Sequence, residues 1–300
     1  MDHQPVQTQS SLSEKEFRSL CSLLEEESGK TLNVLSQNFK NLIRKDPAWQ
    51  LYLKSNLDPS TWNRVHQLME EVRAEQLEHS IHHLLRGGVA RVDLEEGCWA
   101  LAEYGDPSAT RAQIQGPLDR MARELEQIIS GHTTTTEVIH SFKEYLFEQQ
   151  GFHGNHTNYY DPENSYIHRV LARKTGIPIS LSCVCLLLSK RIQWKNKPLP
   201  LVGIGLPLHF IVQFRFPDNN VFVDPFNRGR VLSRRDCVEI LQVSDIPFKP
   251  SYLLAINAHA ILCRTMTNLI HIYTNLGEEH KKNRLIRFLQ IFDTHSSAAS

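Results

Sequence analysis

A chain of 300 residues with 41% hydrophobic and 22% charged residues carries enough apolar material to close a core, which excludes wholesale disorder and leaves room for one large domain or two. Lys+Arg and Asp+Glu each number 33, so the formal net charge is zero, and no long basic run offers the phosphate-binding face of a nucleic-acid partner. No stretch approaches the about 20 apolar residues that cross a bilayer.

The N-terminus, MDHQPVQTQSSLSEKEF, has neither a basic nor an apolar signal region, and six cysteines without a CxxC make no disulfide framework or zinc pattern. The expectation is a cytoplasmic protein without a membrane or nucleic-acid partner. In chain order, residues 1–12 are polar and expected to fray. From Ser13 to about Arg86 the apolar spacing is helical: Phe17, Leu20, Cys21 and Leu24 form one stripe, and Leu35, Phe39, Leu42 and Ile43 another. Asp58-Pro59-Ser60 opens a helix carrying Trp62, Val65, Leu68 and Val72, and Gly87-Gly88 ends it. Leu94, Cys98, Leu101 and Ala102 share the next helical face, stopped by Gly105-Asp106-Pro107; another helix covers Thr110 to Ile129. Thr134-x-x-Glu137 has the spacing of a capping box, with Val138, Phe142, Tyr145 and Leu146 inward and Gly151 at the helix end.

From Gly151 the texture changes to a loop-rich run, GFHGNHTNYYDPENSY. Ser180 is predicted to cap an apolar helix from Leu181 to Arg191. Leu199–Phe216 and Val221–Pro225 read as strands around the turn signal Pro217-Asp218-Asn219-Asn220. Val231-Leu232 reads as a further short strand, and Ser233 opens a helix with Cys237, Ile240 and Leu241. Helices at about Ala255–Leu276 and Glu278–Phe292, with Gly277 between, form a hairpin that must dock to bury its apolar faces.

His209 is one imidazole within the apolar run Leu208-His209-Phe210-Ile211-Val212, and Asp224 ends Val221-Phe222-Val223-Asp224. A carboxylate beside an imidazole sets its tautomer, as a nucleophile-activating base requires. Opposed hairpin residues have position numbers of constant sum. A turn centred on Pro217-Asp218 therefore puts Asp224 opposite Ile211, within diagonal reach of His209, whereas one centred on Asp218-Asn219 leaves the two groups too far apart. On spacing alone, the favoured reading is a satisfied strand histidine and a strand-end turn aspartate.

Four blocks in order carry a resemblance: Tyr159-Tyr160-Asp161-Pro162-x-Asn164-Ser165, Gly176-Ile177-Pro178-Ile179-Ser180-Leu181-Ser182, Gly205-Leu206-Pro207-x-His209-Phe210 and Asp224-Pro225-Phe226-Asn227-x-Gly229. They resemble the SirB-type family of bacterial transglutaminase-like proteins, whose domain also occurs in a eukaryotic F-box protein. The resemblance implies an α+β fold, mainly helical, with a transglutaminase-like (papain-like) core and a small antiparallel sheet over 89–250. A helical region, 1–88, precedes it, and a single tetratricopeptide-like hairpin, 251–300, follows. It also implies a Cys-His-Asp site. His209 and Asp224 match its last two members, but no cysteine stands where the nucleophile falls, around Pro178 to Ser180, and Ser180 is the sole hydroxyl there.

A helix N-terminus and an imidazolium ionise a thiol far more readily than a hydroxyl. Two functions follow: a cleft that binds a peptide or protein partner, or a Ser180-His209-Asp224 hydrolase or acyltransferase acting on an amide or ester. Neither implies a cofactor. Cys183 and Cys185 point about 200° apart on their helix and read as small hydrophobes. Tyr160, Asp161, Asn164 and Asn227 are the candidate binding residues, set against a reading of the first three as an Asx-type cap and of Asn227 with Gly229 as a turn. His79, His82 and His83, near Glu75 and Glu78, have helical metal-ligand spacing but read as a solvated face, and His153 and His156 as a polar loop.

Overall fold

Local chemistry sets the helix boundaries in the computed structural model, which describes residues 19–21, 23, 29–45, 59–106 and 108–297. The predicted frayed segment 1–12 and the stripe residues Phe17 and Leu24 lie outside the described residues. By internal contacts the chain divides inside a helix, between Leu77 and Glu78, and Asp106 and Ser108 group with the first unit. Within that unit lie α1 (Gly29–Lys45) and most of α2 (Pro59–Leu85), which starts at the predicted proline. Phe39 and Leu42 of α1 pack with Val65, Leu68, Met69 and Val72 of α2 and with Cys21. Lys40 is buried there and reaches the Glu71 carboxylate at 2.8 Å and that of Glu75 at 3.3 Å.

The second unit begins with α3 (Leu94–Gly105), α4 (Ala112–Ile129) and α5 (Thr135–Lys143), which a π turn extends to Gln149. The capping box forms as predicted: Glu137 N–H donates to Thr134 Oγ1 (3.2 Å), and Thr134 N–H donates to the Glu137 carboxylate (2.9 Å). Next come β1 (His153–Gly154), α6 (Ile167–Arg173), β2 (Thr175–Gly176) and α7 (Pro178–Arg191). Every residue of α7 from Pro178 to Ser189 is buried, as an all-round apolar helix at the centre of a domain must be. It packs on α3, α4 and α6, on the main sheet, and on a C-terminal helix.

A hairpin of β3 (Gln193–Trp194) and β4 (Lys197–Pro198) leads into the main sheet: β5 (Leu201–Ile204), β6 (Ile211–Arg215), β7 (Asn220–Asp224), β8 (Arg230–Leu232) and, on the other edge, β9 (Ala255–Ile256). The strand order is β8-β7-β6-β5-β9, antiparallel throughout. Val212 pairs with Val223 and Phe214 with Val221, which is the register centred on Pro217-Asp218. Thr135 Oγ1 donates to the Asp218 carboxylate at 2.9 Å and anchors that turn to the start of α5. The predicted continuous strand 199–216 is instead two strands. Pro207 has no N–H for a ladder and Leu208 takes a φ of 60°, so the chain leaves the sheet between Ile204 and Ile211. His209 thus lies in the loop joining the ends of β5 and β6, not within a strand.

Ser233 caps α8 (Arg234–Gln242) with Asp236 as its reciprocal partner. The chain ends in α9 (Ala258–Asn275) and α10 (Glu279–Ser297), joined through Gly277. Leu262, Met266 and Leu269 of α9 and Leu285, Phe288 and Phe292 of α10 are buried, with α9 lying on α3 and α7. The architecture is a mainly helical α+β core with a small antiparallel sheet. No helix among the described residues is long and apolar enough to cross a membrane.

Gly229 closes the turn after β7 at a φ of +69°, and a Cβ there would meet the Phe147 ring at 2.2 Å. Gly229→Ala therefore combines backbone strain with a clash in the core, and a loss of about 2 kcal/mol is expected in urea unfolding.

Candidate functional site

The hairpin register brings the ends of β6 and β7 together, and with them the two groups the sequence nominated. His209 Nε2 lies 2.8 Å from Asp224 Oδ2. An ionised carboxylate can only accept, so Nε2 carries the proton and Nδ1 is the basic nitrogen of the neutral ring. Among the described residues Nδ1 has no hydrogen-bond partner. Asp224 is buried, and its carboxylate is saturated. Oδ1 accepts the backbone N–H groups of Phe226 (3.0 Å) and Asn227 (3.2 Å), and Oδ2 also accepts Asn227 Nδ2 (2.8 Å). Burial would raise its pKa, but the His209 bond and charge and the Asn227 donors outweigh that and hold it below the usual carboxylate value.

His209 is positioned from a second direction by α9. Arg264 donates through Nη2 to the carbonyls of Leu206 (2.6 Å) and His209 (2.9 Å). The guanidinium also lies over the Phe210 ring, 5.4 Å from its centroid, and burial lowers its pKa. These bonds pin the loop in which Leu208 holds its left-handed conformation, which costs a non-glycine residue roughly 1 kcal/mol. Sequence reasoning missed Arg264; nothing near it marks it out, because its partners are 55 and 58 positions away.

Ser180 does not join this pair. The helix begins at Pro178, not Leu181, so Ser180 is its third residue rather than its N-cap. Its hydroxyl accepts the Ile177 N–H (3.1 Å) and donates to the Asn164 carbonyl (2.5 Å), and the side chain is buried. Asn164 is itself a knot in the polar block. Its amide nitrogen donates to the carbonyls of Asn158 (2.7 Å) and Tyr159 (3.2 Å), and its Oδ1 accepts from Asn155 (3.1 Å). Asp161 caps the next turn through Glu163 N–H and pairs with Arg173 at 2.9 Å. Asp161 and Asn164 therefore hold the loop, and Tyr160 is exposed away from the cavity described below.

Neither Cys183 nor Cys185 faces His209 from a cleft. Cys183 meets the thiol of Cys98 on α3, whose pKa this bond and burial raise, and burial likewise pushes Cys185 up. His79 and His83 border a separate polar hollow with Glu96, Glu103 and Arg111. Among the described residues no group of three or more His, Cys, Asp or Glu is gathered to hold a metal.

A cavity of about 440 Å³ opens onto the pair. His209, Asp224 and Asn227 supply its polar side chains, beside the ring of Pro178; Tyr159, Phe226 and Leu208 line it, and Ile240, Leu241, Val243 and Ile246, from the end of α8 and the residues after it, complete the apolar lining. Sequence reasoning placed α8 but did not connect it to the site. Leu208 and Val243 are 75% and 88% exposed, so the cavity's rim presents large apolar side chains to solvent.

Two outcomes test this geometry. Because Asp224 has a depressed pKa, its contribution to stability is present above the unfolded value of about 3.9 and is lost as pH falls from about 5 through the folded value. Wild-type stability should therefore fall more steeply than that of Asp224→Asn over this range in urea titrations. Arg264→Leu leaves two carbonyls unpaired and is expected to cost about 2 kcal/mol and to shift the His209 ring resonances in NMR spectra, while Arg264→Lys shifts them less.

A family model described as "Transglutaminase-like superfamily" matches residues 112–267, from the start of α4 into α9, and so includes both His209 and Asp224. A UPF0162 protein of Xylella fastidiosa is 34% identical over 181 residues, 58% of this chain and 61% of that protein. A UPF0162 protein of Vibrio cholerae is 26% identical over 182 residues, 59% and 65% of the two chains. F-box only protein 21 of Mus musculus is 24% identical over 224 residues, 65% of this chain and 33% of that one. The aligned part thus spans less than two thirds of each of these relatives. No solved structure matches. With its histidine and aspartate joined beside the start of a buried helix, the chain belongs to the transglutaminase-like superfamily.

Proposed function

We propose that this chain is a SirB-type member of the superfamily whose cleft binds a segment of a peptide or protein partner, in a cytoplasmic regulatory role and without a cofactor. The observation that carries the reading is the state of Ser180. Its proton is given to the Asn164 carbonyl in the buried start of α7, and no cysteine lines the cavity among the described residues. A histidine base accelerates acyl transfer only with a nucleophile in hydrogen-bonding reach. The apolar lining and exposed rim favour an apolar side chain carried on a peptide backbone. In this reading 89–250 is the binding domain, 1–88 a helical region before it, and 251–300 a single tetratricopeptide-like unit whose Arg264 braces the cleft.

One observation favours a second reading, hydrolysis or acyl transfer through Ser180, His209 and Asp224: the His209–Asp224 bond is intact and leaves a basic nitrogen unpartnered. It requires Ser180 to leave its cap. Fluorophosphonate and chloroacetamide probes applied to wild type, Ser180→Ala, Cys183→Ala and His209→Ala separate the two. The binding reading expects no adduct at Ser180 or Cys183 in the folded protein and a loss of about 1 kcal/mol of stability in Ser180→Ala. An adduct at Ser180 that disappears in His209→Ala overturns it.

A further inference from the structure

Phe226 divides two cavities. On one side is the cleft with His209; on the other lies a hollow of about 270 Å³ lined by His153, Gly154, His156, Phe226, Asn227 and Arg228. Phe226 and Asn227 border both, and the Phe226 ring meets the imidazoles of His209 (6.3 Å) and His156 (4.5 Å). Its backbone carbonyl accepts the Gly154 N–H at 3.0 Å, so the partition is held from β1 as well as from the Asp224 turn.

The titratable side chains lining this hollow are two imidazoles and a guanidinium, with no carboxylate among them. The acidic groups nearest in the chain are already engaged. Asp224 is saturated by His209 and the Asn227 turn, and Asp161 and Glu163 pair with Arg173. Arg228 is exposed and has no hydrogen-bonding or ion-pair partner among the described residues. It also sits at a φ of 51°, where glycine or asparagine is more comfortable. The Arg228 charge is thus not spent within the fold and is open to an anion from solvent.

We infer that this hollow is a carboxylate subsite of the cleft: a bound peptide places an apolar side chain against α8 and, across Phe226, an anionic group on Arg228 and His156. Arg228 is tied to the site by backbone, because the turn that carries it is the one Asp224 caps, closed by Gly229 N–H to the Asp224 carbonyl at 2.9 Å. The inference rests on the peptide-binding reading and adds a charge preference to it. The carboxylate is either an acidic side chain or a chain's C-terminus.

Calorimetric titration of the full chain with four short peptides tests it. Three are acetylated and amidated, with leucine followed by glutamate, glutamine or lysine; the fourth ends in leucine with a free carboxylate. The glutamate or free-carboxylate peptide is expected to bind about tenfold more tightly than the glutamine one, with lysine weakest and the preference reduced by salt. Arg228→Asn keeps the left-handed turn and should bring glutamate and glutamine to within about twofold. Which carboxylate binds better identifies its source. Equal affinities for all four peptides, or a carboxylate preference that survives Arg228→Asn, overturns the subsite and leaves the peptide cleft standing. Failure of all four peptides to bind overturns both.

Discussion

The Asp224 carboxylate is the knot on which the site is tied. It closes the end of β7, caps the turn that follows through two backbone N–H groups, takes the Asn227 amide, and still holds the imidazole of His209. A buried carboxylate would be costly alone; four donors make it stable as the anion. Because one group satisfies both the turn and the imidazole, the orientation of His209 and the path of residues 224–229 cannot vary independently. The partition residue Phe226 and the arginine beside it inherit their places from the same carboxylate.

The start of α7 shows the opposite use of polarity. In a thiol-based relative of this fold the helix start would present a nucleophile to the histidine. Here it presents the ring of Pro178 to the cleft, while the hydroxyl two residues on turns inward to Asn164. Asn164 in turn holds the carbonyls of Asn158 and Tyr159, so the helix start and the polar block stabilise each other. The start of α7 thus borders the cleft with a proline ring, while His209 is held on the other side by Asp224.

The C-terminal hairpin contributes more than buried area. Arg264 reaches out of α9 to two carbonyls of the loop bearing His209, and β9 adds the edge strand beside β5. Docking of this segment therefore bears on the geometry of the site, since the loop in which Leu208 holds its left-handed conformation is bonded to α9.

The sequence by itself determined whatever depends on neighbours a few residues apart. The capping box at Thr134, the helix start at Ser233 and the proline start of α2 are local choices, and the constant-sum rule narrowed the hairpin to two registers, of which the structure takes the one centred on Pro217-Asp218 that puts Asp224 within reach of His209. The blocks from Tyr159 to Gly229 carried the fold class through their resemblance to a known family. Only the tertiary structure decided what Ser180 does with its proton, because its competing acceptor, Asn164, lies 16 positions away. It alone moved His209 from strand to loop, chose Tyr159 over Tyr160 for the cleft, and brought the end of α8 to the cleft. These outcomes turn on packing and on hydrogen bonds between distant segments, which periodicity and propensity do not encode.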